Sequence, residues 1–461
     1  MAGLYGPGVR ALRKKTLPAC VAALLAINSM VTSASSDAIA LPMHGRVPFS
    51  PNSVIAVTNC EDSGPGSLRE ASDNVVNGGA IDLTQLGCSE ITLSSGKIAI
   101  AVNDVTLLGP GVGHEATHPL TIYGSAYDRI FDHGAGTLTI SGLRLTGGHA
   151  FARGGCVNSQ GSLVIEDSIV TGCEAYVPYG SNVFAGGGAI YAQAELWMHN
   201  SVVTNNVAYS VTRAAYGGGI FASGIVTIEE STITDNKVIA PQASALGGGL
   251  KVVGVDNLRI LNSTISGNEA ELGGGMHVDT LGGSQIINST ISGNYASQYV
   301  GAALFVHGPV RLTNSTITRN STYAYTAGIY SDQAISVQSS ILADNRAAAS
   351  YAMYDLVAPS IAGGASLIMS ANISTPPGTI TQCPRLAALK DNGGPTWTHA
   401  ILPGGPGIDV GDDSGLTVDQ RGGGYVRVMG ANADIGAFEW QGELDDNLFK
   451  SAFESQCDRY D

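Results

Sequence analysis

Between residues 154 and 346 the chain alternates apolar and polar residues over short stretches, with the period of a strand and not of a helix. Ile, Val or Leu takes one parity at Val170, Val203, Ile233, Ile265, Ile291, Ile317 and Leu342, and Ser or Thr takes the other. A second apolar strand follows each glycine corner, as in Ala189-Ile190-Tyr191, Ile220-Phe221, Leu250-Lys251-Val252, Met276-His277-Val278 and Leu304-Phe305-Val306. The corners are the triplets Gly186-Gly187-Gly188, Gly217-Gly218-Gly219, Gly247-Gly248-Gly249 and Gly273-Gly274-Gly275, with weaker copies at Gly154-Gly155 and Gly301.

These pieces recur as a repeat. Its aligned serines are Ser168, Ser201, Ser231, Ser263, Ser289, Ser315 and Ser340, spaced by 33, 30, 32, 26, 26 and 25 residues. A unit of this length cannot bury its apolar face alone, so repeats of it stack as a solenoid. Short strands broken by Gly and Asn corners predict an all-β, right-handed parallel β-helix, one coil per repeat of 25–33 residues, capped at both ends. Asn206, Asn236, Asn268, Asn294, Asn320 and Asn345 share one phase, with Cys173 in that place on an earlier coil. Asn accepts left-handed corners and stacked amides hydrogen-bond along a ladder, so these residues are expected to be structural. Several of them also fit the Asn-x-Ser/Thr glycosylation pattern.

The composition suits this architecture. Of 461 residues 61 are Gly and only 13% are charged, and the formal charge is −15. An acidic chain without a basic patch argues against nucleic acid and anionic lipid as partners. Residues 1–40 read as a signal peptide: Arg10, Arg13, Lys14 and Lys15 precede an apolar run from Leu17 to Val31, with cleavage possible after Ala34, Ala38 or Ala40. Leu17-Pro18-Ala19-Cys20 has the look of a lipoprotein box but precedes the apolar run. No later stretch is apolar enough to predict a transmembrane helix in the mature chain. Secretion, or placement at a bacterial cell surface with outer-membrane association, is the expected location. Six cysteines remain after the signal, and an exported protein uses them as disulfides. The most local pairing is Cys60 with Cys88, Cys156 with Cys173 and Cys383 with Cys457. Zinc is the competing use, yet there is no Cys-x-x-Cys and little His, so no metal or cofactor is expected.

Both ends carry motifs. Val57-Thr58-Asn59-Cys60-Glu61-Asp62-Ser63-Gly64-Pro65-Gly66-Ser67-Leu68-Arg69-Glu70-Ala71 resembles the CSLREA-type region that opens bacterial secreted β-helix proteins, with Gly66 where that motif has its cysteine. Asp391-Asn392-Gly393-Gly394-Pro395-Thr396, His399 to Gly404, Ile408-Asp409, Asp419-Gln420-Arg421-Gly422 and Asp434 to Glu439 form an ordered set similar to the choice-of-anchor Q domain. Gly187-Gly188-Ala189-Ile190-Tyr191-Ala192 resembles the repeat of polymorphic outer-membrane adhesins. These resemblances imply an exported bacterial β-helix protein and do not imply an enzyme. The expected division is 1–40 signal peptide, 41–95 N-terminal cap region, 96–375 β-helix, 376–440 choice-of-anchor Q-like region and 441–461 tail. Ser67 is a natural N-cap for a short capping helix, with Glu70 three residues on and Leu68 and Ala71 facing the first coil. The C-terminal block, with Asp409, Asp412, Asp413, Asp419 and Asp434, is expected to close the other end; these acids suit turns better than a calcium site.

Candidate chemistry is sparse. Polysaccharide-cleaving β-helices need charged groups in register on adjacent coils. The best such column is Glu166, His199 and Glu229, beside Asp167, Asn200 and Glu230, and an exposed polar strand face is the better explanation of it. The loops after the Asn phase are more suggestive. Their lengths are 12, 10, 10, 4, 6 and 5 residues, so insertions emerge on one side, and they carry Tyr176, Tyr179, Tyr209, Tyr216, Tyr295, Tyr299, Tyr323 and Tyr325. Tyrosine supplies flat contact area with a polar tip, suited to a glycan or a protein partner and also to shielding the coil's flank. The expected function is therefore non-catalytic, adhesin-like binding through this flank; the alternative is a polysaccharide lyase or glycoside hydrolase. No catalytic residue is assigned.

Overall fold

The computed structural model describes residues 51–112, 119–254, 257–298, 300–323, 326–348 and 354–442. These residues wind into a parallel solenoid with four faces. A typical coil runs through Leu196–His199, Val202–Thr204, Val207–Ser210, Ala215–Tyr216 and Ile220–Ser223. Stacking the equivalents gives a first sheet of 12 strands, a second of 11, a third of 8 and a fourth of 10, all parallel, with a short 3-stranded sheet between the third and fourth. Register is kept from coil to coil: Leu196 lies opposite Val226, Val203 opposite Ile233, Ala208 opposite Val238 and Ile220 opposite Leu250.

Alternation decides which side chains enter the core. Val170, Val203, Ile233, Ile265, Ile291, Ile317 and Leu342 are all fully buried. With Ile165, Met198, Ile228 and Ile260 from the first sheet they form one apolar cluster running from Val57 to Ile368. Each such aliphatic side chain contributes roughly 1.5–3 kcal/mol by leaving water.

The asparagines form a continuous internal ladder. Each main-chain N–H and side-chain Nδ2 donates to the next Asn Oδ1, as in Asn236 to Asn268 at 3.0 Å for both, and the last, Asn345, donates to Asp355. Nδ2 also donates to the carbonyl two residues back and to one on an adjacent strand, so no amide proton is left without a partner. The left-handed residue of this corner is not the asparagine but the one before it, for example Asn205 (φ 57°), Asp235 (φ 55°) or Gly267 (φ 65°). The asparagine instead turns inward and is buried. A parallel serine ladder runs along the first corner, Ser168 N–H to Ser201 Oγ and Ser201 N–H to Ser231 Oγ, both at 3.1 Å. Here too the preceding residues are left-handed, including Asp167, Asn200 and Glu230. The glycine triplet answers a closer approach: a Cβ on Gly218 would lie 2.4 Å from the Gly248 carbonyl oxygen of the next coil.

Cys60–Cys88 and Cys156–Cys173 are disulfides. Cys383 is also disulfide-bonded, while Cys457 lies outside the described residues, as does the segment read as a signal peptide. At the N-terminal end a helix, Leu68–Asn74, packs on the first coils with Leu68 and Ala71 buried. Its N-cap Ser67 accepts from the Glu70 N–H, and the Glu70 carboxylate accepts from Gly66 N–H, a reciprocal capping arrangement.

The C-terminal block is placed differently from the expected end closure. It lies along the outer side of the second sheet. Thr264 Oγ1 donates to the Trp397 carbonyl at 2.6 Å, Ser292 Oγ bonds His399 Nε2 at 2.8 Å, and Ala437 N–H donates to Thr316 Oγ1 at 3.0 Å. Ile341, Ala343 and Leu367 of that sheet share an apolar cluster with Leu386, Ile401, Ile435 and Phe438. Within the block the acidic residues serve turns and pairs. Asp412 and Asp413 accept from main-chain N–H groups two residues on, Asp409 from Ala431 and Asp434 from Trp440. Asp419 pairs with Arg421 at 2.6 Å, and that guanidinium lies 3.9 Å from the ring centres of both Tyr425 and Phe438. No helix among the described residues is long and apolar enough to cross a membrane.

Candidate functional site

The third sheet carries the tyrosine flank. Outward side chains of its strands stack in register, Phe151 opposite Tyr176 and Tyr176 opposite Tyr209. The Tyr176 and Tyr209 rings lie 5.5 Å apart and 10° from parallel. Each ring covers a face of the other, while Phe151 at the column's end remains 58% exposed. Tyr179, Tyr295 and Tyr323 stand out from the same flank, 78%, 38% and 63% exposed. Tyr216 does not join them. It is half-buried against Phe184 and Phe221, at 5.2 and 6.3 Å between ring centres, and burial raises its hydroxyl pKa. Tyr299 and Tyr325 lie outside the described residues.

Phe184 and Tyr216 belong to the long loops and lean over the fourth sheet, whose outward column is Tyr191, Phe221, Lys251, His277, Phe305 and Tyr330 in unbroken register. Tyr191 and Phe221 stack at 4.9 Å, and Phe305 stacks between His277 at 4.8 Å and Tyr330 at 5.1 Å. Arg153 adds a cation over Phe184 and Tyr191 at 5.3 and 5.0 Å. The chain therefore has two aromatic columns, one covered and one open.

The first sheet aligns the acid–histidine–acid column: Glu166 lies opposite His199 and His199 opposite Glu229. The histidine is engaged elsewhere. Its Nε2 lies 3.5 Å from the carboxylate of Glu230, the left-handed corner residue, and its ring stacks on Trp197 at 5.6 Å. The hydrogen bond with Glu230 raises the His199 pKa and lowers that of Glu230, the signature of an ion pair. Asn200 Nδ2 donates to Asp167 at 2.8 Å, bracing the same corner. These contacts tie coils together and supply no protonated acid.

A second charged group escaped the sequence reading. In the covered column Lys251 is 2% exposed and bonds through Nζ to His277 Nδ1 at 2.6 Å and to Asp279. Burial lowers the pKa of both Lys251 and His277, so His277 is a neutral imidazole. Asp279 lies two residues after His277 on the strand Met276–Thr280, and His307 lies opposite Asp279 on the next coil. His307 Nδ1 bonds Asp332 at 2.7 Å, and its Nε2 faces Asp279 Oδ1 at 4.0 Å. The signal for this group was present: Lys251 and His277 both stand two residues after a glycine triplet. Taken strand by strand each is an isolated polar residue, and only the column joins them.

The description "Right handed beta helix region" matches residues 223–356. With the solenoid topology, this makes the chain a right-handed parallel β-helix protein. No curated protein matches. Among solved structures the crystal structure of pectate lyase Pel9A is similar, at 14% identity over 85% of this chain and 97% of that one, with a TM-score of 0.42. A likeness this distant says nothing of activity. The two disulfides and the fold are consistent with an extracellular protein.

Proposed function

We propose that this is a secreted or cell-surface β-helix protein that binds a glycan or protein partner along the tyrosine flank of its third sheet and catalyses no reaction there. The carrying observation is the open aromatic column, with Phe151, Tyr179, Tyr295 and Tyr323 exposed on the same side. Exposed rings gain by burial against a ligand, and hydroxyl tips add hydrogen bonds at its edge. The other aromatic column lies covered, so aromatic content alone does not explain the exposure. Attachment in the manner of choice-of-anchor Q and adhesin-like proteins belongs to this reading, as does the export signal in residues 1–40. The net charge of −15 disfavours acidic polymers and favours neutral glycans or a basic protein surface.

The test is binding of the purified protein to a glycan array and to bacterial and host cells. Replacing Tyr176, Tyr179, Tyr209, Tyr295 and Tyr323 by Ala is expected to abolish binding and leave the circular dichroism unchanged; undiminished binding sinks the proposal. The second reading, a polysaccharide lyase or glycoside hydrolase, draws on the register of Glu166, His199 and Glu229. It requires glycan depolymerisation that is lost in Glu229→Gln.

A further inference from the structure

The outward face of the fourth sheet gathers His277, Asp279 and His307, whose ligand atoms all lie within 4.8 Å of one another. The strand pairing brings them together. His277 and Asp279 are two residues apart on one strand and so share a face, and His307 is in register with Asp279 on the next coil. His277 is held by ring contact with Phe305, and Phe305 also meets the edge of His307 at 5.0 Å.

Two features distinguish this group from an ordinary polar patch. Asp279 Oδ1 is shut off from solvent and has no hydrogen-bond partner, although the side chain as a whole is 38% exposed. The group facing it, His307 Nε2, presents a lone pair when Nδ1–H donates to Asp332. Two acceptors, a carboxylate oxygen and an imidazole nitrogen, thus meet at 4.0 Å with no proton assigned between them, and His277 Nδ1 lies 3.6 Å from the same oxygen. The Lys251 ammonium is the cation now beside them, bonded to Asp279 through its other oxygen and to His277 Nδ1. The pairing of His307 with Asp332 is the carboxylate–histidine arrangement that orients an imidazole toward a metal.

We propose that His277, Asp279 and His307 form a binding site for Zn²⁺ or a similar first-row divalent cation, with Asp332 orienting His307. Two imidazoles and one carboxylate match the N and O ligands of such ions and not the all-oxygen shell of calcium. Bonds of about 2.0–2.1 Å in a tetrahedral site put ligand atoms roughly 3.3 Å apart, so the present separations, 3.6 and 4.0 Å to Asp279 and up to 4.8 Å across the set, close by side-chain rotation on binding. His307 is half-exposed, so the movement falls to it more than to the buried His277. The Lys251 ammonium now donates to both His277 and Asp279, and the incoming ion displaces it. Three protein ligands leave a fourth position for water or for a donor from a bound partner. The site borders the covered aromatic column, which contributes His277, and is independent of the tyrosine flank.

Equilibrium dialysis of the purified protein against Zn²⁺ tests this, with the Co²⁺-substituted protein read by its visible absorption. One ion per chain is expected, with micromolar or tighter affinity and no competition from Ca²⁺. His307→Ala and Asp279→Asn are expected to remove it, and Asp332→Asn to weaken it by about tenfold or more. Lys251→Met, which takes away the competing cation, tightens it. Thermal melts of the metal-free variants establish that they are folded. No uptake by the wild-type protein, or uptake unchanged in His307→Ala and Asp279→Asn, overturns the proposal.

Discussion

The two aromatic columns are built by the same rule and end in different places. On the third sheet Phe151, Tyr176 and Tyr209 stand in register and face outward, the two tyrosine rings stacked. On the fourth, Tyr191, Phe221, Phe305 and Tyr330 also stack in register, yet Tyr191, Phe221 and Phe305 are 4%, 6% and 9% exposed. The loops make the difference. The 12- and 10-residue connections bring Phe184 and Tyr216 back over the fourth sheet and leave the third sheet bare. A repeat sets where a side chain stands along the solenoid, and its insertions set whether that side chain meets water. Residues of one type on one fold therefore divide into core and surface by coverage alone.

The largest effect follows from breaking the covered column. Phe221 is packed by Tyr191, Phe184 and Tyr216. Phe221→Ala is expected to lower stability by roughly 3–5 kcal/mol, the usual loss for a buried aromatic ring. Denaturant unfolding measures it, and a loss below that of an exposed ring would erase the distinction between the columns.

The second sheet offers the same contrast between early and late coils. Val202 and Thr232 are half-buried, whereas the equivalent Thr264, Thr290 and Thr316 are buried under the C-terminal block. His399 is the titratable group at that contact. Burial lowers its pKa to about 4, it bonds the Ala387 carbonyl at 2.7 Å and Ser292, and Arg319 is the nearby cation. The unfolded histidine titrates at 6.5, so below that pH the unfolded chain binds a proton that the folded chain refuses. Stability is thus full above pH 6.5 and falls as pH drops toward 4, by about 3 kcal/mol at most. Glu439 acts in the opposite sense: burial raises its pKa to about 7, so its share is present at low pH and lost as pH rises from 4.5 to 7. The readout is therefore the difference between wild type and His399→Asn in urea at pH 7 and pH 4.5. Parallel pH slopes would remove His399 as the cause.

The coil was legible because its period is strict. Inward positions such as Ile233 and Ile265, the ladder phase of Asn236 and Asn268, the Ser67 cap and two disulfides all follow from local pattern. The sequence points to the asparagine for the left-handed corner, one residue late, because Asn both tolerates that conformation and stacks well; the structure gives the first task to Asp235 or Gly267 and the second to Asn. The C-terminal block has no period, so nothing in its sequence says which face it covers. Tyr216 looked like its neighbours in the loops, and only the path of the loop turns it onto Phe221. Lys251, His277, Asp279 and His307 come together through register between coils, which strand-by-strand reading misses.

The smallest stability effect is expected on the open column, and it tests the comparison most directly. Tyr176 and Tyr209 are half-buried and stack on each other, a contact worth about 0.5–1.5 kcal/mol beyond area burial. Tyr176→Ala and Tyr209→Ala are each expected to cost about 1 kcal/mol, and a double-mutant cycle isolates their coupling within that range. Partner binding should respond in the reverse order, falling in both single variants although the fold barely notices. If instead the two substitutions destabilise the protein as much as Phe221→Ala and leave binding intact, the tyrosines shield the coil, and the open column is a wall and not a binding surface.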